Sequence, residues 1–206
     1  MSALEPEDIV IRLFEIVPGL LEISKINRQQ VTAGMLEALY DSVVSMTPNQ
    51  SESNTKPEDR MRITMEKTAQ AIGLEWKHAS PVDHPYGAEL DGVLLRDGEQ
   101  VAVVELEAID AKHARAALLD LLTYPTGRKL LVIGRSKRAT GSDNPASLCN
   151  NLRRNVLPAV GQALATNPDV GIFTELELRF NPDVLRQFLQ QDNTPKPNGL
   201  RTKGVR

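Results

Sequence analysis

Apolar residues recur every three or four positions in two stretches of the first fifty residues, and this spacing predicts two amphipathic helices. The first stretch supplies Ile9, Leu13 and Ile16, and the second, which Asn27 can cap, supplies Val31, Met35, Leu39 and Val43. We therefore expect residues 1–50 to be a helical extension. Its apolar stripes should pack on the rest of the chain or on a second subunit, which would make the protein a homodimer. Residues 51–59 are polar and broken by proline, as is typical of a linker.

From residue 60 onward, helix-spaced and strand-like runs alternate. Helices are predicted near 61–72, 114–122, 146–164 and 182–189, and strands near 74–78, 89–96, 100–108, 128–134 and 170–178. The Asp97-Gly98 pair between two of these strands is a strong hairpin signal. A hairpin followed by a helix and another strand predicts an α/β fold over residues 60–190, with a mixed central sheet flanked by helices. The remaining residues, 191–206, are predicted to be a disordered basic tail.

Composition narrows the possible chemistry. Cys149 is the only cysteine, which excludes a disulfide framework and a cysteine-rich zinc site, so that a metal would have to be held mainly by oxygen atoms. The first residues carry acids where a signal peptide carries bases, and no apolar run approaches the roughly 20 residues that cross a bilayer. We expect a soluble cytoplasmic protein without a membrane partner. The net charge of -3 argues against nonspecific coating of nucleic acid.

The strand at 100–108 carries acids where a central strand should not. Alternation places Glu105 and Glu107 on the same face as Val101 and Val103. Charged residues at strand ends are often only solvated, but the apolar flanks indicate a central strand, and an unpaired buried charge is costly. The presence of two carboxylates on a central strand therefore needs a physical explanation.

Asp91, on the preceding strand, can supply that reason if it faces the same way. A two-residue turn at Asp97-Gly98 would place Asp91 opposite Val104, on the other face. A three-residue turn that includes Arg96 would place it opposite Val103 and diagonal to Glu105. On this second hypothesis three carboxylates converge, and an all-oxygen cluster of that kind suits Mg²⁺ or Mn²⁺.

The order of these elements resembles the PD-(D/E)xK nuclease superfamily, which has the restriction-endonuclease-like fold. The matching residues are Asp91 in GAELDGVLL, Glu105 in VAVVELEA and Glu66 in the preceding helix. The resemblance implies a metal-dependent DNA endonuclease, possibly a type II restriction enzyme, with Asp91 and Glu105 as metal ligands and Glu66 as an accessory acid. The lysine of the family motif is replaced by Glu107. By resemblance to Glu-x-Glu members, Glu107 would bind the metal or accept the proton of the attacking water. Alternatively, Lys112 supplies the lysine function.

Two further hypotheses stay open beside the endonuclease. One is a catalytically inactive nuclease-like module that binds nucleic acid or protein, and the other is an α/β domain that serves only protein assembly. Basic residues in the loop GRSKRATGSDN are candidates for contact with DNA phosphates: Arg135, Lys137 and Arg138.

Overall fold

The computed structural model describes residues 10–12, 31–46, 56–78, 89–125, 127–136, 144–164 and 168–191. Its strands are β1 (Glu75–His78), β2 (Gly92–Arg96), β3 (Glu99–Ala108), β4 (Arg128–Gly134) and β5 (Val170–Thr174). Its helices are α1 (Ala33–Met46), α2 (Pro57–Ala71), α3 (Ala111–Thr123), α4 (Pro145–Asn151), α5 (Leu157–Leu164), α6 (Glu175–Phe180) and α7 (Asp183–Gln190). Residues 10–12 are also helical. The predicted tail, 192–206, lies outside the described residues.

The five strands form one sheet in the order β1-β2-β3-β4-β5. Strands β1, β2 and β3 are antiparallel neighbours, whereas β3, β4 and β5 are parallel. The sheet is therefore mixed, and helices flank it, which confirms the predicted α/β fold class. No helix among the described residues is both long enough and apolar enough to span a membrane.

The β2–β3 hairpin differs from the predicted three-residue turn. The turn has two residues, Asp97 and Gly98, with φ of 54° and 82°, the left-handed values that a type I′ turn requires. The register then shifts by one between Leu94 and Leu95, because Val101 is an extra residue in β3. This β-bulge pairs Leu94 with Ala102, where a regular hairpin would pair it with Val101. Every residue of β2 before the bulge therefore pairs with a residue one position further along β3 than it would in a regular hairpin.

Each face of the sheet carries its own apolar core. Helices α3 and α4 cover one face and pack against Val93, Val103, Leu131, Ile133 and Ile172. Helices α2 and α7 cover the opposite face and pack against Leu94, Ala102, Val104, Val132 and Phe173. Alternation along β3 continues the row of Val103 into Glu105 and Glu107, so both carboxylates belong to the face that α3 covers.

The helix that begins with Pro145 continues into α5 through a π-helical turn (Leu152–Val156). Pro158 follows this turn and lacks the N–H that a regular helix would use at that position. A wider turn just before a proline is one way in which a helix accommodates it. The predicted helix at 146–164 therefore contains one local irregularity.

The N-terminal helix packs on the α/β domain. Leu36 and Tyr40 of α1, together with Val10, form a small core with Leu176 and Phe180 of α6. This contact confirms the expectation that the apolar stripe packs on the rest of the chain. The stripe is partly wrong in detail, because Met35 is 42% exposed while Leu36 is buried.

The last strand is shorter than predicted. We expected a strand over 170–178, but β5 ends at Thr174 and α6 follows at once. The Thr174 hydroxyl accepts a hydrogen bond from the Glu177 N–H at 3.0 Å, and the Glu177 carboxylate accepts one from the Thr174 N–H at 3.3 Å. This reciprocal pair is a capping box, which starts a helix where apolar alternation suggested a continuing strand.

Candidate metal centre

Asp91 stands immediately before β2, and the register places it opposite Glu105. Gly92 pairs with Val104, so continuing the same ladder by one residue brings Asp91 level with Glu105 on the α3 face. Asp91 Oδ2 accepts a hydrogen bond from the Leu106 N–H at 2.8 Å, in the place that a carbonyl of a longer strand would occupy. The predicted convergence of Asp91 and Glu105 is thus observed. The expected position opposite Val103 is wrong, because the bulge rather than a longer turn sets the register.

Glu105 is the most buried acid of this group, with 7% of its surface exposed. Burial raises the pKa of its carboxyl to about 9, and a hydrogen bond with Asp91 and the charges of Asp91, Glu107 and Asp120 act in the same direction. A hydrogen bond between two carboxyl groups requires that one of them carry a proton. The raised pKa makes Glu105 the group that carries it when no cation is present.

Glu107 is half-buried, two residues further along the same face of β3. Burial raises the pKa of its carboxyl, and the negative charge of Asp91 raises it further, whereas His113 lowers it. Asp110 and Glu58 also raise this pKa. Asp91, Glu105 and Glu107 are called the open acidic centre from here on.

Four neighbours of the open acidic centre were not among the sequence candidates: Glu58, Asp110, His113 and Asp120. Asp110 caps α3, accepting hydrogen bonds from the N–H groups of Lys112 at 2.7 Å and His113 at 3.2 Å. Both hydrogen bonds lower the pKa of Asp110, and the one from the His113 N–H lowers it most. The His113 Nδ1 atom lies 3.8 Å from Asp110 Oδ2. An aspartate just before a predicted helix is a helix-start signal. This signal in the sequence would have placed Asp110 and His113 beside the end of β3.

Among the described residues, no lysine or arginine compensates the charge of the open acidic centre, and within this centre His113 lowers the pKa of Glu107 alone. No lysine or arginine there forms an ion pair with Asp91, Glu105 or Glu107. Within the same residues, no three acid, histidine or cysteine side chains already meet as a set that could hold a metal ion. Among the described residues, only Asp91 and Glu105 are brought into hydrogen-bond contact. Glu107 interacts with this pair through its charge.

Among the described residues, neither Glu66 nor Lys112 forms a hydrogen bond or ion pair with Asp91 or Glu105. Glu66 is exposed on α2, and the acid of that helix that acts on Glu107 is Glu58. The separation of eight positions from Glu58 to Glu66 corresponds to about 12 Å along a helix. Lys112 is exposed and lines a cleft of about 390 Å³ between the start of α3 and the start of α4, where Asn144 and Ser147 also lie.

Arg135 was a candidate for contact with phosphate, but the structure gives it a different role. Its Nε donates a hydrogen bond to Glu37 at 2.7 Å, its second nitrogen lies 2.9 Å from Asp41, and its guanidinium stacks 4.3 Å from the centre of the Tyr40 ring. All three partners belong to α1. Arg135 therefore fastens the N-terminal helix to the end of β4. The other two candidates, Lys137 and Arg138, lie outside the described residues.

A second group of buried acids lies at the same end of the sheet, and here each acid has an arginine. Glu175 accepts hydrogen bonds from Arg60 Nε at 2.9 and 3.0 Å and from Thr64 at 3.1 Å. Arg60 also donates to the backbone oxygen of Arg135 at 2.8 Å. Burial raises the pKa of Glu37 to about 7, against the lowering effect of Arg135. Glu37, Arg60, Arg135 and Glu175 are called the paired acidic centre.

Comparison of the chain with protein-family models, with curated proteins and with solved structures gives no match. The fold and the two centres are therefore interpreted from this chain's own geometry. They define a mixed α/β protein in which the buried Glu105 faces the half-buried Asp91 near the end of the central strand.

Proposed function

We propose that this protein is a metal-dependent DNA endonuclease that hydrolyses phosphodiester bonds. The observation that carries the proposal is Glu105, a residue that is only 7% exposed, faces Asp91, and forms no ion pair with a lysine or arginine among the described residues. Taking a charge out of water without a partner is costly, and a chain keeps such a group where it serves a purpose. A shared cation would remove the cost.

The residues present fit a hard divalent cation. The donors are carboxylate oxygens, which Mg²⁺ and Mn²⁺ prefer over the nitrogen and sulfur ligands of zinc sites. Mg²⁺ is usually held by only one or two protein carboxylates and keeps several waters, so a pair such as Asp91 and Glu105 is a sufficient protein contribution. Glu107, two residues along β3, would add a third oxygen donor or act on a bound water.

Each residue of the open acidic centre then has a distinct role. When bound, Mg²⁺ or Mn²⁺ supplies Lewis acidity towards the phosphate and a more acidic water. Asp91 and Glu105 hold the ion, Glu107 holds it or accepts the proton of the attacking water, and Glu58 adds negative charge near Glu107. Lys112, at the mouth of the neighbouring cleft, is the alternative to Glu107 as the residue that acts on the water. Glu66 remains a candidate only through the family resemblance.

We take DNA as the substrate from the resemblance to PD-(D/E)xK nucleases, which is carried by Asp91, Glu105 and the order of the elements along the sequence. Lys137 and Arg138 remain the candidate phosphate contacts. A homodimer through the N-terminal helices is less well supported, because Leu36 and Tyr40 are already covered by α6.

Cleavage of supercoiled plasmid in Mg²⁺ or Mn²⁺ tests the proposal. Wild-type protein should nick or linearise the plasmid, EDTA should stop it, and Asp91→Ala and Glu105→Gln should be inactive. Glu99→Gln is the matched control, because Glu99 is an exposed acid at the opposite end of the same strand. If wild-type protein, tested over a broad set of DNA sequences, neither cleaves in either metal nor binds the metal, the proposal is wrong.

One observation favours a second candidate, a nuclease-like module that binds nucleic acid or protein without cutting. Glu107 stands where the motif lysine of the family would be, and no complete three-ligand set is formed by the described residues. Retention of DNA in a mobility-shift assay, combined with an intact plasmid in Mn²⁺, would support this module over the enzyme.

A further inference from the structure

Two side chains of β1 hold the backbone beside Asp91. His78 pairs with Gly92, and its Nδ1 atom lies 2.8 Å from the backbone oxygen of Asp91. Trp76 packs so closely on Gly92 that a Cβ atom at position 92 would come within 2.5 Å of the indole ring. Glycine therefore permits this approach of the two strands. The close approach brings the His78 ring to the Asp91 carbonyl.

Arg62 of α2 holds the other side of the same ring. Its terminal nitrogen lies 2.9 Å from His78 Nε2, and its guanidinium also forms an ion pair with Asp59 one turn earlier on α2. A chain of contacts thus runs from Asp59 through Arg62 and His78 to the backbone of Asp91. It joins the helix on one face of the sheet to an acid whose carboxylate lies on the other face.

The chemistry of the two partners determines how the His78 ring carries its proton. A backbone carbonyl can only accept a hydrogen bond, so Nδ1 must carry the hydrogen. An arginine can only donate, so Nε2 must present its lone pair. His78 is exposed, and its two contacts together are specific for the tautomer with hydrogen on Nδ1.

Asp91 is consequently fixed at two points. Its backbone oxygen is held by His78, and its Oδ2 atom is held by the Leu106 N–H on β3. With both ends held, the carboxylate has little freedom to turn away from Glu105. Asp91 has no further strand ladder to fix it, because β2 begins only at Gly92.

We infer that His78, oriented by Arg62, is a positioning residue of the open acidic centre and that it sets the affinity of that centre for a divalent cation. The inference rests on the proposed function, because cation binding is the property that the positioning serves. Groups that orient metal ligands typically change metal affinity by tenfold or more when they are removed. Neither His78 nor Arg62 touches the cation in this scheme.

Calorimetric titration of the purified full-length chain with Mn²⁺ tests the inference. His78→Leu should weaken Mn²⁺ binding by roughly tenfold, and Arg62→Met should weaken it by a smaller factor. The double variant should bind no worse than His78→Leu alone, because the two residues act as one chain. His78→Asn should keep most of the affinity, since its amide nitrogen lies about where Nδ1 does. Lys67→Met, which removes an exposed charge from the same helix, is the control and should match wild type.

A second readout needs no metal. The amide of Leu106 should exchange with solvent roughly fivefold to tenfold faster in His78→Leu than in wild type, while the amide of Val103 stays unchanged. Long-range nitrogen spectra of the wild-type ring should show hydrogen on Nδ1 only. Wild-type Mn²⁺ binding with an unaltered affinity and unaltered Leu106 exchange in a folded His78→Leu variant would overturn the inference. Absence of Mn²⁺ binding in wild type would instead overturn the proposed function, and Leu106 exchange would then decide the positioning role alone.

Discussion

The two acidic centres lie near the same end of the sheet and bury their acids to a similar extent, yet only one supplies counter-charges. Glu175 and Glu105 are 3% and 7% exposed. Glu175 has Arg60 at 2.9 Å, with Arg179 at 3.9 Å, whereas Glu105 faces Asp91 and is acted on by Glu107. Burial alone therefore does not distinguish the two acids. The charge of the nearest partner does.

This difference assigns separate tasks to the two centres. In the paired acidic centre every contact joins one element to another, with α1 to the end of β4 through Arg135 and α2 to α6 through Arg60. Its positive charges are already used. The open acidic centre joins few elements and leaves a negative site that an external cation can neutralise. Four predictions test this comparison, from the largest expected effect to the smallest.

The first prediction concerns Glu107, a half-buried member of the open acidic centre. If Glu107 accepts the proton of the attacking water or holds the metal, Glu107→Gln should reduce plasmid cleavage by roughly 10²–10⁴-fold while DNA binding survives. Lys112→Ala should then have a small effect. The opposite result, with Lys112→Ala the damaging change, would transfer the role to Lys112, and Glu107→Lys would then be tolerated.

The second prediction concerns the paired acidic centre. Arg60→Met removes the arginine that pairs with the buried Glu175 at 2.9 Å, so the free energy of unfolding in urea should fall by about 3 kcal/mol. Arg62→Met on the same helix is the control, because its exposed ion pair contributes only about 0–1 kcal/mol. If the two variants lose the same stability, the distinction between buried structural pairs and surface pairs fails here.

The third prediction concerns the pH range over which each centre changes the stability of the protein. The folded-state pKa values of Glu105 and Glu37 are raised above the ordinary 4.5, so the folded protein binds more protons than the unfolded chain and loses stability as pH rises. The loss attributed to Glu37 ends near pH 7, whereas that of Glu105 continues to about pH 9. Each proton contributes a slope of at most about 1.4 kcal/mol per pH unit.

Urea unfolding in EDTA at half-unit pH steps measures these slopes. Glu105→Gln should flatten the curve between pH 7 and pH 9, and Glu37→Gln should flatten it below pH 7. Saturating Mn²⁺ should stabilise the protein most at high pH, where the carboxyls of the open acidic centre are deprotonated. A wild-type curve that rises between pH 7 and pH 9 without metal would contradict the burial of an unneutralised Glu105.

The fourth prediction concerns the helix that carries Glu175. Thr174→Ala removes the hydroxyl that caps α6 and should cost about 1 kcal/mol of stability, whereas Thr174→Ser keeps the acceptor oxygen and should lose less. Thermal unfolding of the three proteins measures the difference. An equal loss in both variants would show that the methyl group, rather than the cap, matters at this buried position.

The sequence predicted the mixed sheet well because alternation and helical spacing are local signals. It predicted the strand at 128–134 with the bounds that the structure gives it, and it identified Asp91 and Glu105 as neighbours. It failed where two local signals competed, as at Thr174, whose capping box ended a strand that the alternating stretch TELEL was expected to continue. It also failed for Arg135, because an arginine in a loop after a strand looks the same whether it meets DNA or Glu37. That choice depends on tertiary contacts ninety-eight residues apart.

The bulge at Val101 has a consequence for how this site tolerates changes in chain length. In a regular hairpin with a two-residue turn, directly opposed residues are always an odd number of positions apart, as Arg96 and Glu99 are. Asp91 and Glu105 are an even number apart and oppose each other only because of the extra residue. Deleting Val101 would leave Asp91, Glu105 and Glu107 unchanged as residues. It would nevertheless turn the Asp91 side chain towards the opposite face of the sheet. Insertions and deletions in this hairpin are therefore tolerated by the site only in steps of two.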